Sequence, residues 1–313
     1  MKFGKFLLIA SLLLSLCAPL AFAEDVTFVM VPKGVHPYYE PCFEGFKAAA
    51  EKYGLKAEYN APQEFDIALQ VKVIEDLIAR GVQGIAISAL DDKPLVPVIQ
   101  QALDAGIKVL TFDAPAPSSA QMSYIGTNNK NAGYTAGKKV AEMLGNKGKI
   151  AILQGGLGAP NLNLRREGFA EAIKEAGAEI QIVTVEDTEG KFDLSVNKTE
   201  AILQTYPDIN AIFSVSAEGT PSAGTVVKQQ GKAGQIIVAG FDDLKDTLEG
   251  IRNDSIQFCL VQKTFTMGWL SVEKLQAAMK GEAIEKDIDT GVIIVTKENV
   301  DTYMDEMKKE FLK

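Results

Sequence analysis

A chain of 313 residues with a net charge of −9 lacks the basic surface that a nucleic-acid partner requires, so DNA- and RNA-binding functions are excluded. Hydrophobic residues make up 47% of the sequence, which supplies enough apolar surface for a large buried core. Beyond the N-terminal segment described next, the remaining length predicts two domains rather than one.

The first 23 residues have the composition of a secretory signal peptide. A basic start is followed by the uncharged apolar run 6–16, which is too short to cross a bilayer. The small residues of segment 21–23 then form a cleavage site before Glu24. We therefore predict an exported, periplasmic protein that begins near Glu24. Lipid attachment at Cys17 is the alternative, and the bulky Leu16 before it disfavours that cleavage.

Cysteine and histidine are scarce in the mature chain. Two cysteines, Cys42 and Cys259, are too few for a disulfide scaffold. We predict that both are small buried hydrophobic residues, and a disulfide between them is the alternative. His36 is the single histidine, which excludes a metal site built from several histidines and a histidine-based catalytic pair elsewhere.

Short apolar runs alternate with amphipathic segments along the chain. Apolar runs of strand length lie at 26–31, 84–88, 107–112, 149–153, 181–185, 211–215 and 236–239. Between the first of these runs, segments with helical spacing lie at 43–53, 67–80 and 95–103. Strand, helix and strand in this order predict an α/β fold of doubly wound parallel sheets with helices on both faces.

An internal repeat divides the chain into two similar units. The matched segments are 44–46 with 167–169, 84–88 with 210–214, and 109–113 with 238–242. The spacing between matched positions grows slightly along the chain, as expected for two copies that differ by small loop insertions. We therefore predict two doubly wound α/β domains of similar structure.

Ligands of an open parallel sheet bind beyond the carboxyl ends of its strands. Two such sheets facing each other form a cleft on which loops from both domains converge. The glycine-rich segment 155–160 follows a strand, but it lacks the lysine of a phosphate loop and the third glycine of a dinucleotide site. The polar and aromatic residues that end the strands are therefore the candidate ligand contacts.

The first strand is followed by the candidates Lys33, His36, Tyr38 and Tyr39. Aromatic faces suit the C–H side of a sugar ring, and phenol hydroxyls can bind sugar hydroxyls. The alternative for the two tyrosines is packing between the domains. For His36 the alternative is a surface or capping role.

Asp113 and Asp242 end equivalent strands of the two repeats. A carboxylate there can accept hydrogen bonds from two neighbouring hydroxyls, each worth roughly 1.5–3 kcal/mol. A turn-forming or helix-capping aspartate is the alternative, but recurrence in both repeats favours ligand contact. We predict that the two carboxylates hold a ligand from opposite walls, with Tyr38 or Tyr39 over a ring face.

Hydroxyl and amide side chains complete the candidate set, because they can donate and accept hydrogen bonds as sugar hydroxyls require. They are Ser88, Thr127, Asn163, Ser216 and Gln262. Ordinary loop polarity is the alternative for each of them. Arg165 is a further polar residue near a helix start beside the cleft.

The order of these residues resembles the type I periplasmic sugar-binding proteins, a group that includes the ribose- and galactose-binding proteins. The resemblance spans about 25–294 and rests on segments 36–39, 112–113, 126–129, 165–169, 240–242 and Gln262. The residues whose counterparts contact sugar in ribose-binding members are Tyr38, Tyr39, Asp113, Asp242 and Gln262. The departures are His36 and Ser216 in place of asparagine, Asn163 in place of arginine, and Ala114 in place of a second arginine.

The resemblance also implies three chain crossings between the two domains. With the signal peptide at 1–23, it places the first domain at 24–126 plus 263–292, and the second domain at 127–262 plus 293–313.

The expected function is an exported substrate-binding protein of an ABC importer, which binds a monosaccharide or small polyol in the cleft and delivers it to a membrane permease. We predict a monomer with no catalytic residues, no cofactor and no bound metal. The alternative is a sensory protein that presents a sugar or a furanosyl quorum-sensing autoinducer to a chemoreceptor or sensor kinase. The autoinducer is included because segments 32–33 and 111–113 also resemble the binding proteins for that autoinducer.

Overall fold

The computed structural model describes residues 26–305. The predicted signal peptide with its cleavage site, Cys17, and the end of the second predicted domain at 306–313 lie outside the described residues. Across residues 26–305, every helix is too short or too polar to cross a lipid bilayer.

The described strands form two six-stranded sheets. In chain order they are β1 (Thr27–Val31), β2 (Lys56–Tyr59), β3 (Gly84–Ile87), β4 (Lys108–Phe112), β5 (Tyr124–Gly126), β6 (Gly148–Gln154), β7 (Ile180–Asp187), β8 (Ala211–Ser214), β9 (Ile237–Phe241), β10 (Phe258–Gln262), β11 (Asp287–Asp289) and β12 (Val292–Thr296). The first sheet has the order β11-β5-β4-β3-β1-β2, and the second has the order β12-β10-β9-β8-β6-β7. Five strands of each sheet follow the same order, so the predicted duplication of a doubly wound α/β unit is confirmed.

The strand pairs of the first sheet are parallel. The second sheet contains one antiparallel pair, β10 with β12, which departs from the parallel sheets predicted. No helix separates β12 from β11 of the first sheet. β12 therefore does not arrive through the helical crossover that joins parallel strands, and it runs back along the sheet edge.

Helices pack on the sheets of both halves. They are α1 (Tyr39–Tyr53), α2 (Ile67–Arg80), α3 (Asp92–Asp104), α4 (Asn129–Met143), α5 (Pro160–Ala176), α6 (Phe192–Thr205), α7 (Gly219–Gln229), α8 (Lys245–Arg252) and α9 (Thr264–Met279). α2 begins and ends where its periodicity predicts, because Asp66 accepts the N–H of Leu69 and Gly81 ends it in a left-handed conformation. α1 begins at Tyr39, earlier than its apolar spacing predicts.

The chain passes between the two sheets at three places within the described residues. It crosses after β5, after β10, and between β11 and β12. α9 packs on α1, although it follows a strand of the second sheet. We call the half built on the first sheet the first lobe and the other half the second lobe. The residue boundaries proposed for the two domains stay predictions.

Close helix packing explains the first matched segment of the sequence repeat. α1 and α9 cross at Gly45, where a Cβ would overlap the backbone of Phe265. α4 and α5 cross at Gly168, where a Cβ would overlap the backbone of Lys130. The repeated glycines therefore mark equivalent helix crossings in the two lobes, because only a residue without a side chain permits this approach.

The two cysteines of the mature chain are buried and free. Cys42 lies in α1 of the first lobe, and Cys259 lies in β10 of the second lobe. The prediction of two small buried hydrophobic residues is confirmed, and the alternative of a disulfide between them is wrong.

Candidate ligand-binding site

A cavity lies between the lobes at the carboxyl ends of the strands, where the doubly wound topology places ligands. The empty space inside it, counted together with the open solvent at its mouth, is about 490 Å³. The predicted residues that line it are Lys33, His36, Tyr38, Tyr39, Asp113, Ser216, Asp242 and Gln262. Lining residues outside the predicted set include Phe65, Asn161, Arg165 and Glu218.

Asp113 and Asp242 occupy equivalent positions in the two lobes. They follow β4 and β9, and their backbones are left-handed, with φ of 57° and 69°. Aspartate adopts this conformation more readily than most residues. The N–H of Asp113 donates to the carbonyl of Ile125, and that of Asp242 donates to the carbonyl of Leu260. The neighbouring strand therefore fixes each aspartate at the cavity.

The Asp113 carboxylate is surrounded by donors from the protein. Ser88 Oγ donates to it at 2.6 Å, and the hydroxyls of Tyr38 and Tyr39 donate at 3.0 and 3.3 Å. The Lys33 ammonium lies 3.6 Å from Oδ2. A carboxylate has about four lone-pair sites, so these contacts occupy most of its capacity. Ser88 acts from behind the cavity wall, where it holds the carboxylate in place.

A hydrogen bond joins the lobes across the cavity. Lys33 Nζ donates to Asn161 Oδ1 at 2.9 Å, and Asn161 Nδ2 lies 3.5 Å from Asp113 Oδ1. Burial lowers the pKa of Lys33, and the Asp113 carboxylate opposes this shift. Asn161, on α5 of the second lobe, therefore completes a polar group whose charged members belong to the first lobe.

Tyr38 and Tyr39 line the cavity while their hydroxyls are held by Asp113. Their ring centroids lie 5.1 Å apart, with an angle of 80° between the planes. Burial raises the pKa of both phenols, and the Asp113 carboxylate raises it further, so both remain hydrogen-bond donors. Both tyrosines belong to the buried apolar core of the first lobe and also line the cavity. They are therefore placed for ligand contact, and packing between the lobes is not what holds them.

Arg165 contributes a buried guanidinium to the second-lobe wall. Nε donates to Asn129 Oδ1 at 2.8 Å, and Nη1 donates to the carbonyl of Val215 at 2.9 Å. The guanidinium carbon lies 3.9 Å from the ring centroid of Phe241. Nη2 is buried and has no hydrogen-bond partner among residues 26–305. A buried donor without a partner costs roughly 1–3 kcal/mol, so this nitrogen is suited to a ligand oxygen.

The structure corrects the placement of Asn163 at the cavity. Its amide donates to the carbonyl of Leu157 at 2.8 Å and accepts from Gln154 Nε2 at 3.2 Å, outside the cavity lining. Residues four apart on a helix share a face, whereas residues two apart do not. Asn161 and Arg165 therefore face the cavity together, and Asn163 faces away from it.

Ser216 and Glu218 form another part of the second-lobe wall. Ser216 Oγ donates to Glu218 Oε1 at 2.6 Å, and Thr188 Oγ1 donates to the same oxygen at 3.2 Å. Glu218 is 4% exposed. These bonds hold the carboxylate through one oxygen at the edge of the cavity. Sequence reasoning missed Glu218, whose signal was its position in a strand-end segment.

Gln262 links Asp242 to the first crossing between the lobes. Its Nε2 donates to Asp242 Oδ1 at 3.0 Å, and Thr127 Oγ1 donates to its Oε1 at 3.0 Å. Thr127 does not line the cavity. It orients the amide of Gln262, which in turn holds the second-lobe carboxylate.

Burial raises the pKa of Asp242 to about 7, although Arg165 and Gln262 act in the opposite direction. The ordinary pKa of an aspartate is about 3.9, so the folded protein binds this proton more tightly than the unfolded chain does. The stabilising effect of this proton is complete below about pH 4 and is lost as the pH rises through about 7.

We therefore expect the unfolding free energy of ligand-free wild-type protein to fall between about pH 4 and pH 7 relative to Asp242→Asn. The difference should be at least about 1.4 kcal/mol, which corresponds to one pKa unit. Urea unfolding at several pH values measures it. Asp246→Asn removes an exposed carboxylate in α8 and should follow wild type. Parallel pH profiles for wild type and Asp242→Asn would contradict the raised pKa.

Comparison with known proteins agrees with this geometry. A profile of the periplasmic binding protein domain matches residues 26–283. The chain belongs to the periplasmic binding protein family. Among curated relatives of this periplasmic binding protein, the ribose import binding protein RbsB of Bacillus subtilis is 27% identical over 262 residues, which is 84% of each chain. The D-ribose/D-allose-binding protein of Pseudomonas aeruginosa is 28% identical and covers 74% of this chain and 76% of its own length.

Solved structures extend the similarity of this periplasmic binding protein to almost its whole length. An ABC transporter solute binding protein from Burkholderia graminis, in complex with D-arabinose, is 39% identical, with a TM-score of 0.87 over 90% of this chain and 98% of that one. GanP, a glucose-galactose binding protein from Geobacillus stearothermophilus, is 30% identical, with a TM-score of 0.86 over 89% and 99%. The predicted fold class and family are confirmed. The prediction of a binding protein rather than an enzyme is confirmed as well.

Proposed function

We propose that this protein is the exported binding component of an ABC importer and that its ligand is a neutral monosaccharide or small polyol. The observation that carries the proposal is the interlobe cavity. Carboxylate, amide, hydroxyl and guanidinium groups from both lobes surround it beside two tyrosine rings. Such a mixture of donors, acceptors and aromatic surface suits a ring that carries several hydroxyl groups.

The charge balance of the cavity favours a neutral ligand. Its basic residues are Lys33 and Arg165, and its acidic residues besides Asp242 are Asp113 and Glu218. Asp242 is only partly ionised near neutral pH because burial raises its pKa to about 7. A sugar phosphate or sugar acid would add negative charge to a site without surplus positive charge. We therefore expect uncharged sugars to bind better than their acidic derivatives.

The relatives support a pentose or hexose as the ligand, since they are described as binding ribose, D-arabinose or glucose and galactose. We further propose that the mature protein begins near Glu24, works in the periplasm as a monomer and delivers its ligand to an ABC permease. Membership of the periplasmic binding protein family and the N-terminal sequence support this location.

A thermal-shift screen tests the ligand class. The panel contains D-arabinose, D-ribose, D-galactose, D-glucose, xylitol, the furanosyl autoinducer, and D-galacturonate and ribose 5-phosphate as charged controls. A neutral sugar at about 100 times its dissociation constant should stabilise the protein by about 2.7 kcal/mol, which is a shift of several degrees. A shift with the charged compounds alone, or with no member of the panel, would refute the proposal.

The substitution Arg165→Met tests whether the second-lobe wall of the cavity binds the proposed sugar. We expect a 10- to 150-fold loss of sugar affinity, which corresponds to roughly 1.5–3 kcal/mol for a hydrogen bond to a charged group. Calorimetric titration measures the affinity, and thermal melting checks that the variant is folded. Arg166→Ala changes the neighbouring, partly exposed arginine and should bind like wild type. If folded Arg165→Met bound sugar with wild-type affinity, Arg165 would not be a ligand-binding residue.

A further inference from the structure

An aromatic contact joins the two lobes at the mouth of the cavity. His36 of the first lobe stacks on Phe192 of the second, with centroids 5.7 Å apart and planes 5° apart. Phe65 of the first lobe meets His36 edge-on at 6.2 Å. His36 and Phe65 line the cavity, whereas Phe192 does not line it and is 43% exposed. The three rings therefore stand between the cavity and the solvent.

Packing within one lobe does not account for these rings. In the part of the chain that the structure describes, none of the three is a member of the apolar cores of either lobe. Phe192 protrudes from the start of α6 and stacks on a ring of the opposite lobe. This apolar surface is removed from water only when the lobes meet as they do here, which we call the closed arrangement. The contact therefore favours the closed arrangement over an open one in which the lobes are apart.

Local structure orients the His36 ring and the backbone that leads to Phe192. His36 Nδ1 accepts the backbone N–H of Tyr38 at 3.2 Å, which sets the orientation of the imidazole ahead of α1. In the second lobe, Glu189 and Gly190 have left-handed backbones with φ of 51° and 70°, and this turn leads directly to Phe192. An imidazole that is already oriented loses little entropy when it stacks.

We propose that Phe192 is a closure residue, which stabilises the closed arrangement of the lobes by stacking on His36 and thereby slows ligand release. The kinetic form of this proposal rests on the proposed function. An aromatic pair changes an equilibrium by roughly 2- to 13-fold. Because the contact exists only in the closed arrangement, its loss acts on the dissociation rate and leaves the first encounter with the open cleft unchanged.

Stopped-flow binding of D-arabinose, with D-ribose as a second probe, measures both rates. Phe192→Ala is expected to raise the dissociation rate about 2- to 13-fold without changing the association rate. Phe192→Tyr keeps the ring and should behave like wild type. Val185→Ala removes another exposed apolar side chain of the second lobe and is the matched control. An unchanged dissociation rate in Phe192→Ala would overturn the proposal.

A measurement without ligand separates this inference from the choice of sugar. Dyes attached through Lys72→Cys on the first lobe and Lys228→Cys on the second, both exposed positions, report lobe closure by single-molecule energy transfer. Phe192→Ala should lower the ratio of closed to open molecules by the same factor. If wild type binds neither of these two sugars, the energy-transfer result alone decides the role of Phe192, and the thermal-shift panel decides the ligand class. An unchanged ratio would then overturn the role proposed for Phe192.

Discussion

Replacing Asp113 with asparagine is expected to destabilise the folded protein by roughly 3–5 kcal/mol, the cost of removing one partner from a buried ion pair. The carboxylate is 2% exposed and lies 3.6 Å from the Lys33 ammonium, which would lose its counter-ion. An amide nitrogen would also replace an oxygen that accepts a hydrogen bond from Ser88 or Tyr38. Urea unfolding of ligand-free protein measures the change.

Asparagine is an informative substitution here because it preserves the backbone. Like aspartate, it adopts the left-handed conformation observed at this position more readily than most residues. A residue that only forms a turn would therefore tolerate the change. We also expect weaker sugar binding, because the substitution releases the hydroxyls of Tyr38 and Tyr39 that Asp113 holds.

A double-mutant cycle with Lys33→Met separates the ion pair from the other contacts of Asp113. Methionine removes the ammonium and keeps an unbranched side chain, so the double variant should lose less stability than the two single losses combined. Asp242→Asn is the matched control, because it makes the same substitution at the equivalent left-handed position. It should not lose stability at neutral pH. If Asp113→Asn were as stable as wild type, the ion pair and hydrogen bonds of Asp113 would not stabilise the fold as proposed.

The apolar pattern predicts the central strands because these are buried on both faces. β3 and β8 are buried along their whole length, and each appears in the sequence as an uninterrupted apolar run. The two edge strands of the first sheet escape prediction for the opposite reason. β2 and β11 are short and partly exposed, with charged residues in each, so the partner strand rather than the local sequence determines that they are extended.

The repeat predicts the two aspartates, because equivalent strand ends in duplicated lobes converge on one cleft. It does not predict which residues of α5 face that cleft, since a shift of two positions exchanges Asn163 for Asn161 and Arg165. The available signal is Pro160, which is favoured in the first turn of a helix and therefore indicates where α5 begins. The burial of Glu218 depends on contacts with a distant loop, which local sequence does not encode.

Replacing Gly168 with alanine is expected to cost roughly 3 kcal/mol, at the upper end of the usual range for overpacking. In an isolated helix the same change would be favourable by about 1 kcal/mol, because alanine forms helices more readily than glycine. In α5, however, a Cβ would overlap the carbonyl of Lys130 in α4. A backbone atom cannot move aside unless the whole helix moves with it.

Urea unfolding of Gly168→Ala measures this cost, and Glu167→Ala, an exposed neighbour on the same helix, should remain within about 0.5 kcal/mol of wild type. Gly45→Ala tests the equivalent crossing of α1 and α9 and should be destabilised to a similar extent. α5 also carries Arg165, so a displaced helix should weaken sugar binding in Gly168→Ala. A variant as stable as wild type would mean that the helices can separate cheaply, and the repeated glycines would then need an explanation other than close packing.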